Sequence, residues 1–432
     1  MMDAPVFIAG AGVISAIGRD KGACLDALTR GQAGIGPMRR LDSIYKGQLP
    51  VAEVPYDNGE LAAMAGLSPD ISRTALLSAI AAREALEDAG LIGPSIGAPG
   101  RTGNSGKPAG GTTDAAQPKH DTQPTVARQW RTGLISANSV GGMDKTETFY
   151  RAFLSDPARG RLRDVVNHEC GSVTDVVADH LGIRHFTSTI STACSSSANA
   201  ILFGARMIRH NLLDVVIAGG TDALAKFTLN GFNTLMILDA APCKPFDENR
   251  KGLNLGEGAG YLVLVSERVA SAIRAPYARL SGYANACDAF HQTASSPEGT
   301  GSLLAMKGAL AKSGLQPGDI SYINLHGTGT QNNDIAEGRA IQTLFAPHYP
   351  PMSSTKSFTG HTLGACGGIE AVFSVLSLSG GIIYPNLRLE TPMKDLPFAP
   401  ETALRQNEDI RHVLSNSFGF GGNCTSLVFS KP

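Results

Sequence analysis

The sequence predicts a layered α/β fold, and three observations carry that prediction. Short apolar runs, several bounded by glycine, recur along the chain in the manner of buried strands. Ala- and Leu-rich stretches at helical spacing lie between them, the alternation expected of sheets covered by helices. The chain has 432 residues, against about 100 to 200 in a usual compact domain, so two sizeable domains or one large duplicated one are expected.

The elements follow in order. Val6 to Ala9 reads as the first strand, and Gly10-Ala11-Gly12 after it as a tight strand-to-helix turn. A dinucleotide fingerprint fails there because the next glycine is Gly18. Thr74 to Ala89 has helical spacing, with Ser68 and Pro69 as start signals and Gly90 as a stop. From Gly93 to Gln129 the chain is rich in Gly, Pro, Ser and Thr and nearly free of large apolar residues, which predicts a mobile surface loop. Gly106-Lys107 in that loop is no phosphate-binding motif, since Arg101 and Pro108 stand at the positions that would define one. Further strands are expected at Thr187 to Thr192, Val215 to Ala218, Tyr261 to Val265, Tyr322 to Leu325, Val413 to Asn416 and Leu427 to Phe429. Strand-rich segments in both halves admit a distant duplication.

Hydrophobic residues make up 42% and charged residues 17%, a globular balance. The formal net charge of -1 comes without a long basic run, so nothing points to nucleic acid or to an anionic membrane surface. The N-terminus has no signal-peptide pattern, and no run of about 18 uncharged apolar residues is found, so a cytoplasmic protein is expected. Seven cysteines, scattered without CxxC pairs, argue against a disulfide framework and a zinc module. Asp247, Glu257, Asp288 and His291 match no metal-ligand spacing, and no metal is expected.

One cysteine has distinctive surroundings. The β-prone Thr187 to Thr192 leads into Ala193-Cys194-Ser195-Ser196-Ser197 and then into apolar residues at helical spacing up to Ile208. Cys194 is thereby placed at a strand-to-helix junction, where unpaired N–H groups and the helix dipole favour the thiolate. The same local pattern would fit a packed cysteine beside a capping serine. The strand at Tyr322 to Leu325 delivers His326 into Gly327-Thr328-Gly329-Thr330, a turn whose glycines allow close approach of a ligand. His361 ends Ser354 to His361 at the start of a helix running to about Leu378, where the dipole disfavours an imidazolium. Two neutral histidine donors beside a cysteine suit stabilisation of an enolate formed when a malonyl thioester loses carbon dioxide. Lys356 and Glu337 are candidates to order the histidines or the leaving carboxylate.

These residues resemble the β-ketoacyl-acyl-carrier-protein synthases, particularly the type II elongating branch. The likeness runs through Ile190 to Ser196, Lys244-Pro245-Phe246-Asp247, Gly256 to Gly260, His326 to Thr330, Ser354 to Gly364 and Asn416 to Gly422, and covers nearly all of the chain except Gly93 to Gln129. It implies a thiolase-like fold with two similar halves, 1-268 and 269-432, in a five-layered α-β-α-β-α arrangement. It implies Cys194 as the acyl-accepting nucleophile, His326 and His361 as the decarboxylation pair, and Lys356 and Glu337 in support. Backbone N–H groups of Cys194 and Phe420 would form the oxyanion hole, with Phe420 gating the acyl pocket; Thr328 and Thr330 would hold the phosphopantetheine arm, and Val140 would line the acyl site. No cofactor of its own is implied, because phosphopantetheine arrives on the acyl carrier protein, as it does for malonyl-acyl carrier protein. The family is normally dimeric, so a homodimer, or a heterodimer with a second ketosynthase-like subunit, is expected. Initiating relatives carry an asparagine in place of one histidine, and thiolases use a second cysteine. A catalytically silent, chain-length-type partner subunit would typically lack the cysteine. Two departures stand out: Asn423-Cys424 where Thr-Asn is usual, and His168-Glu169, expected to bring polar groups into the acyl pocket. With the Ser195-Ser196-Ser197 run, they suggest an unsaturated or polyketide-like acyl chain.

Overall fold

The computed structural model describes residues 4–93 and 129–432. The expected insertion, apart from its end residues Gly93 and Gln129, lies outside the described residues, as does Gly106-Lys107. Ten strands form one sheet: β1 (Val6–Ser15), β2 (Thr132–Ala137), β3 (Phe186–Ile190), β4 (Val215–Asp222), β5 (Gly258–Ser266), β6 (Ala278–Cys287), β7 (Tyr322–Asn324), β8 (Met352–Ser353), β9 (His412–Phe418) and β10 (Asn423–Ser430).

The spatial order reveals a duplication. The first five strands lie as β1-β5-β4-β2-β3 and the last five as β6-β10-β9-β7-β8, the same permutation. The pairing senses repeat as well. In each half the first two pairings are antiparallel and the last two parallel. The halves join where β1 meets β6 through Phe7 opposite Arg279 and Ile8 opposite Ala278. The strand repeat changes between Ser266 and Ala278, whereas the expected division at 268/269 cuts through a short helix, Glu267–Ala270.

Helices supply the layers. We label α1 (Arg73–Asp88), α2 (Met143–Ser155), α3 (Cys170–Leu181), α4 (Ser196–Arg209), α5 (Lys226–Thr234), α6 (Thr300–Ser313), α7 (Gln331–Phe345) and α8 (Cys366–Gly380). α1 and α3 cover the first half from outside, and α6, with α7 against it, covers the second. α4 and α8 each touch strands of both halves and form the shared middle layer. This is the thiolase-like five-layered architecture. Its central core joins Val13, Val216 and Leu262 of one half to Val413, Leu427 and Phe429 of the other through Ile201, Ile369 and Phe373.

Local chemistry accounts for the helix ends and for one correction. α1 is capped by Ser72, whose side chain accepts from Ala75 N, rather than by the upstream Ser68. Gly10 and Gly12 do not make a turn; they lie inside β1. A Cβ at Gly10 would stand 2.2 Å from Ala85 O and one at Gly12 2.1 Å from Ala81 O, so the glycines let α1 lie directly on the strand. A second correction concerns hydropathy. Leu363–Gly380 is long and apolar enough to cross a membrane, yet 89% of it is buried within the fold as the middle-layer helix.

Candidate active site

The turn that carries Cys194 is built by strain and by side-chain clasps. Ala193 takes a left-handed φ of 52° immediately before Cys194, a costly conformation for a residue with a Cβ. Thr192 N donates to Ser196 Oγ at 2.8 Å, and Ser196 Oγ donates to Ala193 O at 2.5 Å. Asn423 Oδ1 accepts from Asn199 Nδ2 and Asn285 Nδ2 and lies 2.7 Å from Ser195 Oγ. Asn423, whose place in the motif was unusual, therefore ties the Phe420 loop to the cysteine turn.

Cys194 sits just before α4, as expected, but the thiolate expectation needs correcting. Burial pushes its thiol up to about 11, outweighing the lowering by the Lys356 charge and by the backbone N–H groups of Phe420 and Cys194. Cys366 Sγ stands 3.1 Å from Cys194 O and donates to it, closing the turn against α8.

The two histidines come from equivalent ends of the second half. His326 follows β7, and His361 precedes the short turn Leu363–Ala365 that leads into α8. Their rings meet edge to face, with centroids 5.6 Å apart. Leu363 N donates to His361 Nδ1 at 3.1 Å, which leaves Nε2 of the neutral ring to carry the proton. Lys356 Nζ lies 3.2 Å from His326 Nδ1. As an ammonium it can only donate, so His326 also carries its proton on Nε2. Burial, then the Lys356 charge, holds both rings well below the usual imidazole range.

Lys356 is buried, and its acid partner is Glu370 on α8, at 2.5 Å. Burial pushes the Glu370 carboxyl up while the lysine charge pulls it back, and Glu370 in turn keeps Lys356 charged against burial. Glu337 has a different task. It accepts from the backbone N–H groups of His326 and Gly327 at 2.9 and 2.8 Å and from Asn416 Nδ2, so it shapes the loop and touches neither imidazole. His326, Cys366 and Glu370 offer ligand atoms within 4.8 Å of one another, but the Lys356 ammonium already bonds to two of the three. Asp222, at the end of β4, was not anticipated. It accepts from the N–H groups of Ser139, Val140 and Gly364 and from Ser139 Oγ, pinning the loops of both halves together.

Two cavities meet at Cys194. A channel of about 270 Å³ is lined by Cys194, His326, Thr328, Thr330, His361 and Phe420, among others. The two threonine hydroxyls lie 2.9 Å apart, and Thr330 also caps α7. A trough of about 390 Å³ is lined by Val140, Met143, Phe227, Leu235, Cys194 and Phe420, among others. Phe420 borders both cavities and stacks on Phe232 with centroids 5.7 Å apart. His168 and Glu169 do not enter the trough: His168 Nδ1 pairs with Thr146 Oγ1 at 2.8 Å, and Glu169 is exposed before α3. The acids set aside as a metal cluster are structural. Glu257 pairs with Arg73, Asp247 accepts from backbone N–H groups of Glu390 and Thr391, and Asp288 accepts from Ser296 and Gly301.

Comparison with known proteins follows the same lines. The family model described as beta-ketoacyl synthase, N-terminal domain, matches residues 3–270, and the corresponding C-terminal domain model matches 277–390. The chain is 33% identical over 438 residues to 3-oxoacyl-acyl-carrier-protein synthase 2 of Staphylococcus aureus, across 99% of this chain and 98% of the relative. It is 32% identical to the synthase of the same name in Coxiella burnetii, again across 99% and 98%. Among solved structures, the ishigamide ketosynthase/chain length factor superposes with a TM-score of 0.85 at 27% identity over 100% of both chains. A ketosynthase in complex with its chain length factor, from Xenorhabdus doucetiae, gives 0.79 at 28% identity over 99% of this chain and 98% of that one. With two family models along its length and relatives matched end to end, the chain belongs to the β-ketoacyl synthase family.

Proposed function

We propose that the chain is a 3-oxoacyl-acyl-carrier-protein synthase, an acyltransferase that extends a carrier-borne acyl chain, fatty or polyketide-like, by decarboxylative condensation in the cytoplasm. The observation that carries this reading is the pair of neutral Nε2–H donors, His326 and His361, on the channel that ends at Cys194. In the first step Cys194 sulfur attacks the acyl thioester of a carrier protein. The phosphopantetheine sulfur leaves and takes up the proton that the thiol gives up, which suits a thiol that is protonated at rest. The N–H groups of Cys194 and Phe420 stabilise the oxyanion, and the acyl tail enters the trough past Val140.

In the second step malonyl carrier protein occupies the channel, its arm held by Thr328 and Thr330. Loss of carbon dioxide leaves an electron pair that delocalises onto the thioester oxygen, and the two Nε2–H groups stabilise that negative charge. The carbanion attacks the acyl carbonyl, the carbon-sulfur bond to Cys194 breaks, and the thiolate takes a proton. The products are carbon dioxide, free Cys194 and a 3-oxoacyl chain two carbons longer on the carrier. The arm is supplied by the carrier, so none of these steps uses a resident cofactor.

The enzyme works as a dimer, either with its own copy or with a chain-length-factor-like subunit. Tyr150, Phe153, Leu154, Leu162 and Val166 expose apolar side chains on and after α2. The similarity to ketosynthases solved with chain length factors supports the second option. A catalytically silent role is disfavoured because Cys194, Lys356 and both histidines form one connected site.

The deciding experiment is intact-mass analysis after incubation with a panel of acyl carrier thioesters, with and without malonyl carrier. An adduct on Cys194 that is chased to a longer product supports the reading. No adduct from any donor, from the chain alone or co-expressed with its partner, refutes it.

A further inference from the structure

The trough beside Cys194 has a notch in its wall that the packing of this chain does not require. Phe227, Thr228, Gly231 and Phe232 of α5, with Leu235 just after it, all line the trough. Gly231 is four residues from both Phe227 and Leu235, so the three fall on one face, with the glycine in the middle. Glycine is the poorest helix former after proline, and one inside a helix calls for a reason. The usual reasons fail here. Gly231 is outside the set of left-handed glycines, and a Cβ built on it meets no heavy atom within 4 Å. Gly204 in α4 is the contrast, since its Cβ would lie 2.9 Å from Val216 Cγ1, a packing glycine.

We propose that Gly231 is a specificity-determining position whose missing side chain leaves width for the acyl tail bound to Cys194 to run along α5. This rests on the condensing reading above. The occupant is the acyl tail because the trough begins at Cys194 and its other walls are mostly apolar, with Val140, Met143 and Leu363 beside a single Ser139. A side chain at 231 would project between Phe227 and Leu235 and block the path beyond the first few carbons, penalising long chains more than short ones.

The test uses the full chain and its Gly231→Ala and Gly231→Phe variants. Each is offered a mixture of butanoyl and decanoyl carrier thioesters, and loading on Cys194 is followed by intact mass. The decanoyl-to-butanoyl loading ratio is expected to fall by about tenfold or more for Gly231→Phe, and by a smaller factor for Gly231→Ala. Gly231→Ala is also expected to keep the wild-type native mass and to melt no lower, because the helix gains propensity. An unchanged ratio overturns the proposal. So does an equal fall for both donors, or a lower melting temperature or lost subunit pairing in Gly231→Ala, either of which would make Gly231 a structural contact. A wild-type chain that loads neither donor, although iodoacetamide still alkylates Cys194, instead brings down the condensing reading and this proposal with it.

Discussion

The channel and the trough share Cys194 and Phe420 but are made of different material. The channel's chemistry comes from the second half: His326, Thr328, Thr330 and His361 stand on the turns after β7 and β8. The trough is lined mainly by the first half, through Val140, Met143 and α5, and offers mostly hydrocarbon. In a duplicated fold the two halves deliver equivalent strand ends to one centre, so one copy can specialise in stabilising charge and the other in holding a tail. Cys194, at the seam, lines both cavities.

Substitutions that act on one cavity only would sharpen that division. The largest effect is expected for Cys194→Ala, which abolishes the acyl adduct while leaving malonyl decarboxylation measurable. Loss of both activities would mean that the cysteine and the histidines do not act separately. His361→Ala removes one donor and is expected to slow carbon dioxide release by about 10² to 10³, with acyl loading measured by mass much less affected. A parallel fall in loading would break the division.

Lys356→Met tests the link between the cavities. It leaves the buried Glu370 without its partner, at a cost of roughly 3 to 5 kcal/mol in unfolding free energy by denaturant titration. It also releases the His326 tautomer, so decarboxylation should fall more than loading; equal falls would assign the lysine a structural role alone. The smallest effect concerns pH. Because burial pushes Cys194 up to about 11 and only the thiolate reacts with iodoacetamide, alkylation of the free enzyme should keep rising through pH 10. A plateau near the ordinary thiol pKa of about 8.5 would contradict the burial argument.

Much of the site was legible because catalysis here uses strand ends. His326 stands where an apolar strand gives way to a glycine-rich turn, Cys194 where a β-prone run meets a helix, and His361 just before an apolar helix, and each transition is visible in a linear sequence. The partnerships were less legible. Lys356 and Glu337 were expected to order the histidines or the leaving carboxylate, but their own partners were not read: Lys356 meets Glu370 and Glu337 holds backbone. A signal for Glu370 was present: it is the lone charge in a helix of otherwise small and apolar residues, and such a charge needs a partner when buried. Asp222 carried a weaker signal, ending the Val215 run after Gly219-Gly220-Thr221. His168 and Glu169 do not line the trough of the single chain, because His168 turns to Thr146 and Glu169 stays exposed, and a linear sequence does not say which way a side chain turns.

The sequence by itself determined the α/β class and singled out Cys194, His326, His361 and the glycine-rich turns, since these depend on periodicity and on residue type at element ends. Only the tertiary structure decided the burial of Cys194, the two imidazole tautomers, the Lys356–Glu370 pair and the shape of the trough. Those properties arise from burial and from contacts between residues far apart in the chain, which local patterns do not encode.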